Sequence, residues 1–412
     1  MRDEPDQANI MASDASEVVI VSAARTAIGN INGALSTLPA HQLGSVVIAE
    51  VLKRAKLLPA EVSEVILGQV LTAGQGMNPS RHAAVLAGLP VSVPTCLINQ
   101  VCGSSIRAVA IASQAIKCGD ASVVVAGGQE SMSLAPHCVH MRRGISLGAV
   151  NLIDSMMEDG LTDCFHKCSM GSTAETVASQ WKISREEQDA FALSSQRKAG
   201  QAQKEGKFKK EIVSVMVKSK RSEVTFEEDE FPKPNSDMES LAHLKPVFVS
   251  PADKEKGIIG TVTPGNATGL NDGAAAVVVM SLEEAKKRSL PTLGKIASWA
   301  HVGVDPLIMG TGPISAIRKA VSKAGWKLED VDLFEINEAF ASQSLAIVRE
   351  LGIDMDKVNV NGGSIALGHP LGASGARCLV TLLYAMEGRG SKKGVVSLCI
   401  GGGMGIAMCI ER

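Results

Sequence analysis

The stretch NQVCGSSIRAVAIASQAIKCGDASVVVAGG, Asn99 to Gly128, reads as a loop, a buried helix and a buried strand in succession. From Ser104 onward, Ile106, Val109, Ala110, Ile111, Ala115 and Ile116 cover most of a helical surface, which predicts a helix enclosed on several sides. Gly119 and Asp120 supply the stop, and VVVAGG supplies the apolar run of a central strand. Cys102 stands where the loop meets the helix. A thiol there faces unpaired backbone N–H groups and the positive end of the helix dipole, so the expectation is a cysteine biased towards thiolate and suited to nucleophilic attack. Cysteine is also among the most buried residue types, so position alone does not separate a nucleophile from inert core.

Working outward, EVVIVSAART (Glu17–Thr26) and SEVILGQVL (Ser63–Leu71) read as strands, and His41–Leu57 has helical spacing. Asn78–Ala87 reads as a short helix with Asn78 as its cap and Pro79 in its first position. From about Ser131 to Gly260 the chain turns mixed and charged, with two capping-box helix starts expected at Ser172/Glu175 and Ser184/Glu187. This stretch reads as a largely separate insertion able to cover a site. Core composition returns in GTVTPGNATGLNDGAAAVVVMSLEEA (Gly260–Ala285), and the pattern then begins again. Loop, Cys102, buried helix and VVVAGG in the first half answer loop, His369, buried helix from Ala373 and VVSLCIGGG in the second, which suggests two copies of one α/β unit. Packed together, they bring Cys102, His369 and Cys399 to a shared centre.

Composition narrows the function classes. The 412 residues are 45% hydrophobic, 20% charged and 3% aromatic, with 40 glycines, which describes an α/β protein with an aliphatic core. A net charge of −2 gives no general affinity for nucleic acid or anionic membrane, and no apolar run approaches a membrane span. Nine irregularly spaced cysteines without a secretory signal, an acidic N-terminus and no Ser-Lys-Leu end make the cytoplasm the expected location. Lys218, Lys220, Arg221, Lys233, Lys245, Lys254 and Lys256 form a scattered basic group, either a solvated face or a contact for a phosphate-bearing ligand.

The chemistry-bearing residues sit in short motifs. His369 in GHPLG is held by Gly368, Pro370 and Gly372 at a helix start and is a credible base for a cysteine nucleophile, or else a structural hydrogen-bonder. Cys399 in CIGGGMG precedes glycines whose N–H groups are placed to form an oxyanion hole, or simply a tight hairpin. Asn337 and Glu338 in NEAFA lie between an apolar strand and an apolar helix, where helix capping by Asn337 is the plain explanation. His137, Cys138, His140, Cys164, His166 and Cys168 crowd one region, but Cys-x-His-x-Cys lacks the paired spacing of a zinc motif, and no metal is expected. GGGMG does not satisfy the dinucleotide fingerprint.

Taken together, VCGSS, GTVTPGNATGLNDGAAA, NEAFA, GHPLGASG and CIGGGMG resemble the thiolase family from about Val18 to Glu411. The resemblance implies a duplicated α/β core of layered helices and mixed sheets with an inserted loop domain. The implied halves are 17–285, with core 17–130 and 261–285 and the covering insertion 131–260, and 286–411. It implies acetyl-CoA C-acetyltransferase activity, a reversible condensation of two acetyl-CoA to acetoacetyl-CoA and CoA through an acetyl-cysteine. Cys102 is then the nucleophile, His369 its base and Cys399 the acid/base at carbon. One oxyanion hole is made by His369 with a water held by Asn337, and the other by the N–H groups of Cys102 and Gly401. No cofactor is implied beyond the CoA thioester substrates, and a homodimer or homotetramer is. Carried onto this chain, the CoA and acyl contacts fall on Leu161, Ser169, Met170, Lys233, Ser240, Val247, Phe248, Pro264, Thr268, Leu270, Met309, Ala339 and Phe340, with Met170, Met309 and Phe340 narrowing the acyl pocket. The chain departs from the family pattern at Ser105, Ser169, Lys233 and a long connection, Val249–Gly260, so acyl specificity is the open point. The alternatives are a broader 3-ketoacyl-CoA thiolase and a non-catalytic acyl-CoA or lipid carrier.

Overall fold

The computed structural model describes residues 17–145, 147–218, 223–249, 255, 257 and 259–412. Lys220, Arg221, Lys254, Lys256 and most of the connection after Val249 lie outside the described residues.

The first half is built from β1 (Val18–Thr26), α1 (Ala40–Arg54), β2 (Glu64–Gly68), α2 (Pro79–Leu86), β3 (Thr95–Ile98), α3 (Ser104–Cys118) and β4 (Val123–Ser131). A covering segment follows, with α4 (Met170–Gln180) and α5 (Arg185–Lys204), and β5 (Asn271–Ser281) then closes this half. The second half holds β6 (Gly294–Gly303), α6 (Gly312–Lys323), β7 (Leu333–Ile336), α7 (Ala341–Leu351), α8 (Ser374–Arg389), β8 (Lys393–Ile400) and β9 (Met404–Glu411).

Strand order runs β7-β8-β9-β6-β1-β5-β4-β2-β3 in one ladder. Outward from the centre, β1 pairs β5 antiparallel, β5 pairs β4 antiparallel, and β4, β2 and β3 are parallel. In the other direction β6, β9 and β8 pair antiparallel and β7 joins β8 in parallel, with an isolated parallel bridge from Phe334 to Val358 where the first half has β3. The duplication expected from the sequence is therefore present in the strand order. The strand ladder between the two halves is two residue pairs, Val19 with Lys295 and Ile20 with Gly294.

Side-chain alternation shows the layering. Val18 and Ile20 of β1, Val124 and Ala126 of β4, and Val396 and Leu398 of β8 point into a central cluster filled by α3 and α8. Val19 and Val21, with Val123 and Val125, point the other way onto α1 and α2, while Val395 and Ala407 point onto α6 and α7. A period of two on sheets buried on both faces gives helix, sheet, paired helices, sheet, helix. This arrangement places the N-termini of α3 and α8 side by side in the middle of the protein.

The covering segment is tied down by buried charge. Arg25 of β1 reaches Glu211 (2.6 Å) and Asp229 (2.7 Å), and Thr381 of α8 also donates to Glu211 (3.1 Å). Its helices pack on the second half, α4 against α7 and α5 against α7 and the turn Ser364–Leu367. The helix start at Ser184/Glu187 is a capping box as expected. The other expected box is not: Ser169 caps α4, and Glu175 turns away to accept the N–H groups of Thr261 (2.8 Å) and Val262 (2.8 Å), so a long-range demand overrides the local one. Among the described residues, no helix is long and apolar enough to cross a membrane.

Candidate active site

Cys102 lies on a tight elbow between β3 and α3. Asn99 Oδ1 accepts from Val101 N–H (3.0 Å), and the Ser104 hydroxyl donates to the Val101 carbonyl (2.6 Å) while accepting from Gln100 N–H (2.9 Å). Val101 is thereby held at φ +46°, a left-handed conformation that costs a β-branched residue about 1–2 kcal/mol. Behind the elbow, a Cβ on Gly103 would press on the end of the Ile400 side chain, so the glycine leaves room for β8 against the start of α3.

The thiol of Cys102 is half-buried, packed against the cluster of Val70, Leu71, Met132 and Leu371. The backbone N–H groups of Gly401 and of Cys102 itself act on the sulfur in favour of the thiolate. Burial nevertheless dominates and pushes the thiol up to about 11, with the charge on Glu130 adding to the shift. The expected bias towards thiolate is thus corrected: loss of water around the sulfur outweighs two N–H donors. Cys399, at the end of β8, is fully buried with Met170, Met309, Ala339 and Phe340, and its thiol is raised still further by burial and by the neighbouring Cys102. The CIGGG turn is indeed a hairpin joining β8 to β9, and its Gly401 backbone favours the Cys102 thiolate.

His369 is 4% exposed and lies just before α8. Gly368, at φ +100° and pressed on Asn271, turns the chain so that His369 N–H donates to Asn271 Oδ1 (2.9 Å). The Ser374 hydroxyl gives its one hydrogen to the Pro370 carbonyl (2.8 Å), so at 2.5 Å from His369 Nδ1 it accepts. Nδ1 therefore carries the ring proton and Nε2 keeps a lone pair. Burial, with the Arg377 charge, lowers the imidazole to about 3. Asn337 Nδ2 stands 3.4 Å from Nε2. Asn337 does not cap α7, whose N-cap is Phe340. Glu338 instead accepts from Ser195 (2.7 Å), Asn359 (2.7 Å) and Ile365 N–H (3.2 Å), clamping α5 onto the turn before His369.

A mostly apolar cavity of about 480 Å³ opens beside these groups. Leu161, Ser169, Met170, Lys233, Phe248, Pro264, Thr268, Leu270 and Phe340 line it, together with His369 and Leu371. Phe248 meets Phe340 edge to face at 6.3 Å. Met309 and Ala339 stand behind that wall, packed with Cys399. Ser240 and Val247 do not line the cavity: Ser240 is exposed in a cap with Asp237, and Val247 is 51% exposed. Lys233 lies at the mouth over the Phe231 ring at 5.4 Å, whereas Lys218 pairs with Glu223 on a surface ribbon. Among the described residues no three His, Cys, Asp or Glu side chains converge to hold a metal, and His166 pairs with Asp163 (3.0 Å).

Three groups were not anticipated from the sequence. Asn271 and Ser374 fix His369 from distant and adjacent positions. Glu130 accepts the N–H groups of Val70 (2.9 Å), Leu71 (3.2 Å) and Gly372 (2.8 Å), tying the Cys102 wall to the His369 loop, and burial raises its carboxyl to about 7. Ser105, expected to crowd the start of α3, accepts the Ala376 N–H (2.8 Å) in the first turn of α8 and so joins the two helices. The Ser-Gly run of GHPLGASG and the acid ending VVVAGGQE were the available signals.

The chain matches the family models for the thiolase N-terminal domain over residues 18–283 and the thiolase C-terminal domain over 290–412. It is 57% identical to the cytosolic acetyl-CoA acetyltransferase of Mus musculus over 402 residues, covering 98% of this chain and 100% of that one. The crystal structure of Bacillus anthracis acetyl-CoA acetyltransferase superposes with a TM-score of 0.93 at 45% identity, covering 97% and 100% of the two chains. Human mitochondrial 3-ketoacyl-CoA thiolase in complex with CoA superposes at 0.91 with 41% identity, covering 96% and 98%. Matched in both halves and superposing on solved members over nearly its full length, the chain belongs to the thiolase family.

Proposed function

We propose that this protein is an acetyl-CoA C-acetyltransferase that makes and cleaves acetoacetyl-CoA. The observation that carries the reading is an apolar cavity lined by His369, whose free nitrogen faces the Asn337 amide, with Cys102 packed against its Leu371 wall and Cys399 against its Met170 and Phe340 wall. The resting pair is a neutral thiol and a neutral imidazole. When a thioester occupies the cavity, His369 Nε2 takes the Cys102 proton, the sulfur attacks the carbonyl, and the N–H groups of Cys102 and Gly401 receive the oxyanion. CoA leaves as the thiol and acetyl stays on Cys102. Cys399, having given its proton to the departing CoA, removes a proton from the methyl of a second acetyl-CoA, whose enolate oxygen is met by Asn337 and by the proton His369 keeps from Cys102; the carbanion attacks acetyl-Cys102 and expels its sulfur, which takes that proton back from His369. A thioester intermediate keeps its carbonyl reactive towards carbon, which a serine ester would do less well.

Domain division, partners and location follow the same reading: two halves, 17–285 and 286–411, CoA thioesters bound in the cavity with Lys233 towards the phosphates, a homodimer or homotetramer, and a cytoplasmic protein needing no cofactor. A cytosolic acetyl-CoA acetyltransferase relative supports the location, and the CoA complex of a structural neighbour supports the ligand. The buried wall of Met170, Met309 and Phe340 favours a short acyl group over the longer chains of a broad 3-ketoacyl-CoA thiolase.

The test is CoA-dependent cleavage of acetoacetyl-CoA by the purified protein, beside Cys102→Ser, Cys399→Ser and a longer 3-ketoacyl-CoA. Expected are turnover by the unsubstituted protein, loss of at least about a thousandfold in each variant, and preference for the short substrate. Tight acyl-CoA binding without turnover would make the protein a carrier instead.

A further inference from the structure

A terminal amide offers a cavity either a donor or an acceptor, according to which way round it sits. For Asn337 that choice is made by Ser364. The Ser364 Oγ lies 2.5 Å from Asn337 Oδ1 and 2.8 Å from Arg377 Nη2. A guanidinium only donates, so Arg377 occupies a lone pair of the hydroxyl and its single hydrogen turns to Asn337 Oδ1. With Oδ1 engaged as acceptor, Nδ2 is the face presented to His369 Nε2. Arg377 is itself fixed by Glu335 at 2.8 Å. Ser364, Arg377 and Glu335 are each no more than 2% exposed, and none lines the cavity. The hydroxyl does not cap the turn it begins, whose N-cap is Gly363 without a side-chain bond.

We propose that Ser364 is a positioning residue, the last link of a Glu335–Arg377–Ser364 chain that holds the Asn337 amide with its donor towards the reacting oxygen. The proposal rests on the acyl-transfer reading above. Ser364 reaches the site through the Asn337 amide, so its removal acts mainly on the step in which this amide meets the reacting oxygen, formation of the enolate and its attack, and less on acetylation of Cys102, where the amide only adjoins His369 Nε2. Without the hydroxyl the amide is free to rotate, and its oxygen then faces the developing oxyanion, a repulsive arrangement.

The experiment compares Ser364→Ala, Asn337→Ala and the double variant in the full-length protein, reading kcat and KM for condensation, the rate of Cys102 acetylation by mass spectrometry, and the thermal midpoint. Ser364→Ala is expected to lower kcat about tenfold, with KM and the acetylation rate within about twofold. In the Asn337→Ala background the same change is expected to cost less than about twofold, because the hydroxyl then has no amide to hold. Should Ser364→Ala not purify folded, Ser364→Cys, which keeps the bulk and a weaker donor, is expected to lose about threefold under the same readouts. A kcat within twofold of the parent in the folded variant, losses that multiply in the double variant, or an equal fall in the acetylation rate would each overturn the positioning role. Absence of turnover by the unsubstituted protein would overturn the proposed function and the relay with it.

Discussion

The two halves use one unit, a strand running through a loop into a central helix, yet they hold their functional side chains in different ways. The Cys102 elbow is fastened by its own neighbours: Asn99 and Ser104 lie within three residues of it and force Val101 to φ +46°. His369 is fastened largely from afar, by Asn271 ninety-eight positions earlier and Asn337 thirty-two earlier, with Ser374 alone close by. A nucleophile must be offered at a sharp point, which local turn chemistry can build. A base that must also change its proton load needs its tautomer and orientation set, and that takes partners on several sides.

Asn271→Ala strikes at the distant hold and has the largest expected effect. It leaves His369 N–H without its acceptor and the Gly29 carbonyl without its donor, both buried. Stability is expected to fall by about 2–4 kcal/mol, from two groups at about 1–3 kcal/mol each with partial relaxation, and kcat about thirtyfold, read by chemical denaturation and by thiolysis. An unchanged kcat would mean that the local contact to Ser374 suffices, and the contrast between the halves would disappear.

The protonation states give a test of intermediate size. With Cys102 held up to about 11 and His369 down to about 3, both groups are neutral across the physiological range. Because the thiol pKa is raised, the thiolate fraction grows about tenfold per pH unit until pH approaches 11, so alkylation of Cys102 by iodoacetamide in the free protein is expected to keep rising from pH 7 to 10. A plateau near pH 7 would restore the picture of a helix-stabilised thiolate.

Ser105→Gly probes the seam between the halves. The Ala376 N–H at the start of α8 loses its acceptor, for an expected cost of about 1 kcal/mol in stability and less than threefold in kcat. A large loss of activity would mean that the seam, and not the separate loops, sets the geometry of the site.

This contrast also explains what could be read in advance. The strands, the α2 cap at Asn78 and the Ser184/Glu187 box were legible because period and capping are local. Cys102, His369 and Cys399 stood out as motifs, and the structure sets His369 in the cavity lining with Cys102 and Cys399 packed against its walls. The Ser172/Glu175 box was misread because Glu175 serves Thr261 and Val262 across the fold. The acidity of Cys102 was misjudged because burial is a property of the assembled protein and not of the helix start. Ser364, Asn271 and Glu130 gave little signal, since each acts through atoms far away in the chain.

The ladder between the halves, only two residue pairs at Val19–Lys295 and Ile20–Gly294, has a kinetic corollary. Cys102 belongs to one half and His369, Cys399 and Gly401 to the other, so the proposed centre needs both. On the proposed reaction, regain of turnover after dilution from denaturant is therefore expected to time the docking of α3 on α8 and to lag the return of helical signal.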